Sequence, residues 1–194
     1  MKVLFFGGTR FVGKALVSRL LSKGHEISVF TRGNLPVPKN VTHIKGDRSN
    51  DEDLRKLSDH LFDLIVDSSG RKLEDTQRLL KFSGIPSFRF IYISSAGVYQ
   101  NTKLFPVGEE SPIDIESRHI GKAKTEHWLK SEGIPFTSFR PTYIYGPGNY
   151  NPIEKWFFDR ITTGRSIPVP HDGQGITQLG HVSDLAEAIS KSLE

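Results

Sequence analysis

The chain has no cysteine and a single methionine among its 194 residues. The missing thiols exclude a disulfide framework, a cysteine nucleophile, iron–sulfur ligation and every thiolate zinc site. They fit a reducing compartment. Long apolar runs are missing too. The longest are a few residues, too short to cross a bilayer, so no membrane partner is expected. Met1 to Phe6 leads straight into glycines, too early for a signal peptide. There is no internal repeat, charge block or low-complexity tract. The seven histidines are scattered, none four residues from another, and no metal site is expected. Neither sign of charge dominates: the net charge of +4 permits an anionic partner such as a nucleotide or nucleic acid without demanding one.

With 36% hydrophobic and 25% charged residues, the chain has the composition of a folded domain, and its length suits one domain or one plus a stub. Short apolar runs alternate with helical patterns. Strands are expected at Val3–Phe6, Ile27–Phe30, Val41–Lys45, Leu64–Val66, Phe90–Ile93, Phe136–Arg140 and Ile167–Val169. Helices are expected over Phe11–Lys23, Asp51–His60, Glu74–Phe82, Arg118–Ser131 and Ile153–Thr163, and one opens at Asp184. This alternation implies a doubly wound α/β fold with a parallel sheet buried on both faces. Residues 1–150 are expected to form that domain, and 151–194 the start of a small C-terminal lobe. Glu194 falls inside an apparent helix with no stop signal. A fragment of a longer polypeptide is therefore expected, the alternative being a helix that frays at a natural end.

Ligands of such sheets lie beyond the carboxyl ends of the strands. The first strand delivers Gly7-Gly8-Thr9-Arg10-Phe11-Val12-Gly13 into a helix. Gly7 permits the tight turn, Gly13 permits close helix–strand packing, and free N–H groups at the helix start suit a pyrophosphate. In this strand–turn–helix context it reads as a Rossmann-type dinucleotide turn, the alternative being a tight turn that binds nothing, and it has one departure: Arg10 holds the middle glycine's place. Its side chain either crowds the pyrophosphate or reaches the phosphates itself. Arg32 follows the second strand where an acid would bind the ribose 2′-hydroxyl of NAD, so NADP is expected in preference to NAD if a dinucleotide binds. Asp47, after the third strand, either accepts from an adenine amino group or caps the turn before the next helix. Ser68 and Ser69, after the fourth strand, would pass beneath a cofactor, though small residues are expected there whether or not one binds.

Four ordered motifs resemble the extended short-chain dehydrogenase/reductase family, which includes nucleotide-sugar epimerases and dehydratases. They are Gly7–Gly13, Ser94-Ser95-Ala96-Gly97-Val98-Tyr99, Arg140-Pro141-Thr142-Tyr143-Ile144-Tyr145-Gly146-Pro147-Gly148 and His181-Val182-Ser183-Asp184-Leu185-Ala186. The resemblance implies catalytic roles for Ser95 and Lys122. It also implies cofactor contacts for Ser94, Lys122, Pro141 and Tyr143. The family's proton-relaying tyrosine lies four residues before the lysine, and here that position is Arg118. No tyrosine occurs between Tyr99 and Tyr143. An arginine stays charged and relays no proton, so ordinary epimerase or dehydratase turnover is not expected. His119 is read as a surface residue turned about 100° around the helix from that position.

Within the superfamily, Gly7–Gly13, Arg118-His119-Ile120-Gly121-Lys122 and Thr177–Ala186 look like the chloroplast stem-loop-binding branch and its cyanobacterial relatives. That resemblance implies RNA binding, with endoribonuclease activity in some members, and a plastid stroma or bacterial cytoplasm. Arg71, Lys72, Arg118, Lys122 and Lys124 are candidates for a phosphate-binding rim. Tyr99, Tyr143, Tyr145, Tyr150 and Trp156 are candidates for stacking bases. Trp156, Phe157 and Phe158 are better read as core or lobe interface. Two other readings stay open: a nucleotide-sugar enzyme using NAD(P), or a scaffold that holds a cofactor or none. A homodimer through the helices at Glu74–Phe82 and Arg118–Ser131 is implied by the resemblance alone.

Overall fold

The computed structural model of the chain describes residues 1–170 and 172–194. Six strands form one sheet: β1 (Lys2–Phe6), β2 (Glu26–Thr31), β3 (Thr42–Lys45), β4 (Leu64–Asp67), β5 (Arg89–Ile93) and β6 (Phe136–Phe139). Their order is β3-β2-β1-β4-β5-β6, and every neighbouring pair is parallel. This is the Rossmann order, reversing between β1 and β4, where a crevice opens at the carboxyl ends. The helices are α1 (Phe11–Ser22), α2 (Asp51–Arg55), α3 (Leu73–Ser83), α4 (Ile120–Ser131), α5 (Ile153–Thr162) and α6 (Val182–Lys191).

Alternation along β1 divides the core into two. Val3 and Phe5 join Leu16, Val17 and Leu20 of α1 and Ala186 and Ile189 of α6 on one face. Leu4 and Phe6 join Leu54, Leu79, Leu80 and Leu129 on the other. Burying a side chain of this size contributes about 1.5–3 kcal/mol, so both layers of helices are held by the same five-residue strand. The last helix returns to α1, where Arg19 pairs with Glu187.

Several local expectations need correction. Ile167–Val169 is not a strand, and Val169 is exposed. Pro168 at its centre has no N–H for a ladder. Instead β7 (Tyr143–Tyr145) pairs in parallel with β8 (Leu179–His181). The helix at Asp51 ends at Arg55 rather than His60. The helix expected from Arg118 opens only at Ile120, with His119 as its N-cap. No residue of α5 is buried, so Trp156, Phe157 and Phe158 are not core. His171, one of the seven scattered histidines, lies outside the described residues.

Candidate functional site

A cleft of about 1250 Å³ crosses the carboxyl ends of the sheet, and the glycine turn forms its floor. Gly7 and Gly8 both take positive φ, +101° and +89°. A Cβ on Gly7 would overlap Ser68 Oγ, and one on Gly13 would lie 2.7 Å from the Gly8 nitrogen. Only glycines let the turn close this tightly over α1. Arg10 is the N-cap of α1 in extended conformation, with no capping bond from its side chain. Lys14 N–H returns to the Arg10 carbonyl, while the N–H groups of Phe11, Val12 and Gly13 have no acceptor among the described residues. Thr9 and Val12 also line the cleft. Phe11 takes φ of +35° and sets its ring edge-on to Tyr150.

The loops after β2, β3 and β4 form one wall. Arg32 is exposed and lines the cleft. Asp47 lines it too, but its Oδ1 accepts from the backbone and hydroxyl of Ser49, which hold its pKa below the ordinary value. It closes a turn; the N-cap of α2 is Asn50. Ser68 Oγ donates to the Phe6 carbonyl at 2.9 Å. Ser69 is tied into a feature that sequence reasoning missed. Arg48 reaches over the Phe6 ring and donates to both oxygens of Asp67, at 2.8 and 2.9 Å, and to Ser69 Oγ at 2.6 Å. Asp67 is fully buried and also accepts from the N–H groups of Ser69 and Gly70. Burial opposes its ionisation, but Arg48 and these donors prevail and hold its pKa below the usual carboxylate value. Arg48 was visible only as the residue after Asp47; nothing in the spacing signals a partner 19 positions away.

The opposite wall follows β5 and opens α4. Ser95 Oγ accepts from Gly97 N–H at 3.1 Å, capping a single 3-10 turn at Ala96–Val98. Ser94 is 4% exposed, lines the cleft, and its Oγ has no partner. Lys122 Nζ donates to the Ile93 carbonyl at 2.6 Å and lies over the Tyr92 ring. Burial lowers the Lys122 pKa, opposed by Asp67 and reinforced by Arg71 and Arg48. Tyr92 is no substitute for the absent tyrosine. Its hydroxyl donates to the buried Gly70 carbonyl, and burial pushes its pKa up. Pro141 and Tyr143 line the cleft, Pro141 accepting from Ala96 N–H.

Arg118 and His119 also line the cleft, and here the reading of His119 is overturned. The helix has not begun at these residues, so a 100° turn between them does not apply. Ser117 Oγ donates to the Gly97 carbonyl and accepts from His119 N–H, which lays the imidazole on Gly97. A Cβ on Gly97 would be 3.1 Å from His119 Nε2 and 3.3 Å from Ser95 Oγ. His119 is thus half-buried beside Ser95. Burial first, then the charges of Arg118, Lys122 and Arg71, lower its pKa. Of the five cations proposed for a rim, Arg71, Arg118 and Lys122 line the cleft; Lys72 caps α3, and Lys124 faces a groove beside Trp128.

These residues fit a dinucleotide. The glycine cradle has no room for side chains, three N–H groups at the start of α1 lack acceptors, and Ser94 Oγ is buried without a partner. Gly7, Gly8, Arg10 and Gly13 would hold the phosphates, with Ser94, Pro141 and Tyr143 at the far end. A nicotinamide bound there would supply hydride transfer. Across the cleft, Asp47 is the one lining carboxylate among the described residues, against Arg10, Arg32, Arg48, Arg71, Arg118 and Lys122.

Comparison with known proteins agrees with this geometry. The chain is 44% identical over 204 residues to the chloroplast stem-loop binding protein of 41 kDa b from Arabidopsis thaliana, covering 96% of this chain and 53% of that one. It thus spans about half the length of that relative. It is 25% identical to UDP-glucose 4-epimerase of Drosophila melanogaster, over 99% of this chain and 72% of that one. Among solved structures, the fold matches Thermus thermophilus UDP-glucose 4-epimerase in complex with NAD at a TM-score of 0.80 and 21% identity. The match covers 100% of this chain and 74% of that one. The Thermotoga maritima UDP-glucose 4-epimerase with UDP-glucose gives 0.83 at 20% identity, over 100% and 74%. The sequence profile of the NAD dependent epimerase/dehydratase family matches residues 3–194, and the chain belongs to that family.

Proposed function

We propose that this chain is the dinucleotide-holding part of an RNA-binding protein built on the epimerase/dehydratase scaffold. The observation that carries this reading is the charge of the cleft: Asp47 is its one lining carboxylate among the described residues, facing five lysine and arginine side chains besides Arg48, whose charge buried Asp67 balances. Two polyanions suit such a surface, a dinucleotide and an RNA backbone. The residue at the proton-relay position, Arg118, supports the same reading, because a permanent cation binds phosphate and transfers no proton. The 44% identity to a protein named for stem-loop binding adds to it and favours a plastid or bacterial cytoplasm. The dinucleotide of this reading is NADP. Arg32 stands free of any ion pair among the described residues where the 2′-phosphate would approach.

A second reading, a nucleotide-sugar enzyme, rests on Ser95 and Lys122 lining the same cleft. Titrations of labelled stem-loop RNA at low and moderate salt separate the two. Retention with a steep salt slope supports RNA binding. Turnover of a nucleotide sugar with NAD(P) and no RNA retention refutes it. Parallel titrations with NADPH and NADH test Arg32, and equal affinities would remove the NADP preference.

A further inference from the structure

We infer that the end of the cleft beside Ser95 is a phosphate site formed by Arg71, Arg118, His119 and Lys122, and that in the RNA-bound protein its occupant is a backbone phosphodiester. This rests on the RNA reading of the cleft and fixes where one phosphate sits.

Gly121 brings the four residues together. A Cβ at that position would overlap the Arg71 carbonyl and lie 3.2 Å from the Lys72 Cα. The first turn of α4 therefore rests directly on the backbone that follows β4. Arg71 comes from that loop, and Arg118, His119 and Lys122 from the start of α4; all four line the cleft.

The carboxylates in the neighbourhood are committed elsewhere. Asp67 is held by Arg48, and Glu126 by Arg140. Asp75 accepts from the backbone N–H groups of Arg71 and Lys72. The ion pairs of the described residues include neither Arg71 nor Arg118. Arg118 spends only its Nε, which donates to His119 Nε2 at 3.0 Å, so both terminal nitrogens remain. Lys122 gives one proton to the Ile93 carbonyl and keeps two. Ser94, next along the strand end from Ile93, has a buried hydroxyl with no partner.

Several forked or multiple donors with no ion-pair partner among the described residues match the two non-bridging oxygens and the charge of a phosphodiester, where a carboxylate would occupy one guanidinium alone. The imidazole reports the occupant. It is faced by Arg118 and Lys122 from its own element, by Arg71 from the loop after β4, and by the uncharged Ser95 and Gly97 from the loop after β5. Protonation of Nε2 gives up the bond it accepts from Arg118 Nε, and an anion placed among these cations offsets that loss, so phosphate and proton bind together.

The test is an NMR pH titration of the His119 ring in histidine-labelled protein, assigned with His119→Gln. It is run alone, with inorganic phosphate, and with a stem-loop RNA. Both additions are expected to raise the His119 midpoint by about one pH unit. Arg71→Gln and Arg118→Gln, whose side chains are exposed, should keep the unfolding temperature. Each should reduce the RNA salt slope by about one counterion. If RNA binds tightly while the His119 midpoint and both salt slopes stay put, the phosphate site is wrong and the RNA reading survives. If phosphate moves the midpoint but no RNA binds, the phosphodiester assignment falls together with the RNA reading.

Discussion

Two arginines in the cleft look alike in sequence and act in opposite ways. Arg10 has an ordinary φ of −130°, an exposed side chain and no capping bond, so it occupies a glycine's place without strain and is free to reach a phosphate. Arg10→Ala should weaken NADPH binding about tenfold, the size of one charge-assisted hydrogen bond, and leave the unfolding temperature unchanged. Calorimetric titration checks this, and tighter binding would mean that the side chain crowds the site. Arg48 is committed to the fold instead. Asp67→Ala leaves its guanidinium without a counter-charge and should cost about 3–5 kcal/mol in urea unfolding. The folded Asp67 pKa lies below the unfolded value of about 3.9, so the pair's contribution is complete above that pH. It is lost as pH falls through the lower folded value. Asp67→Asn should therefore flatten the acid limb of the stability curve. The family resemblance revealed the arginine at 118, because the tyrosine's place is counted from Lys122. It misplaced His119, because a helix was assumed to start at 118, whereas Ser117 bonds to Gly97 and delays that start by two residues.

Among elements, all six strands of the main sheet were legible, β3 and β6 included although neither is fully buried. The apolar runs of β1, β4 and β5 announce themselves because every position is covered by a helix. β7 and β8 did not, since three-residue strands with exposed tyrosine and leucine carry no readable period. The glycine turn and α1 form a single fitted unit. Gly13→Ala forces a Cβ against the Gly8 backbone, and should cost about 1–3 kcal/mol and weaken NADPH binding with it. Unchanged melting and affinity would show that α1 can slide without consequence. α5 behaves differently. Its aromatic content suggests a core or a lobe interface; Phe158, 66% exposed, is not core. Phe158→Ser should shift stability by no more than about 0.5 kcal/mol, a prediction that thermal unfolding decides directly.

At the scale of the whole molecule, the sheet order places every informative loop on one edge, so two walls of arginine and lysine from distant segments meet across one cleft. The fold class was readable from alternation, and most of the cleft's cations from their places after the strands; the Arg48–Asp67 pair was not, since its partners are joined only by the folded sheet. The central claim is that a dinucleotide and an RNA backbone use this one surface. The most direct measurement is equilibrium binding of a labelled stem-loop RNA with increasing NADPH at fixed salt. The account predicts that NADPH raises the apparent RNA dissociation constant in proportion to its concentration, as expected for a shared site. RNA affinity unaffected by saturating NADPH would contradict it and move the RNA to another face.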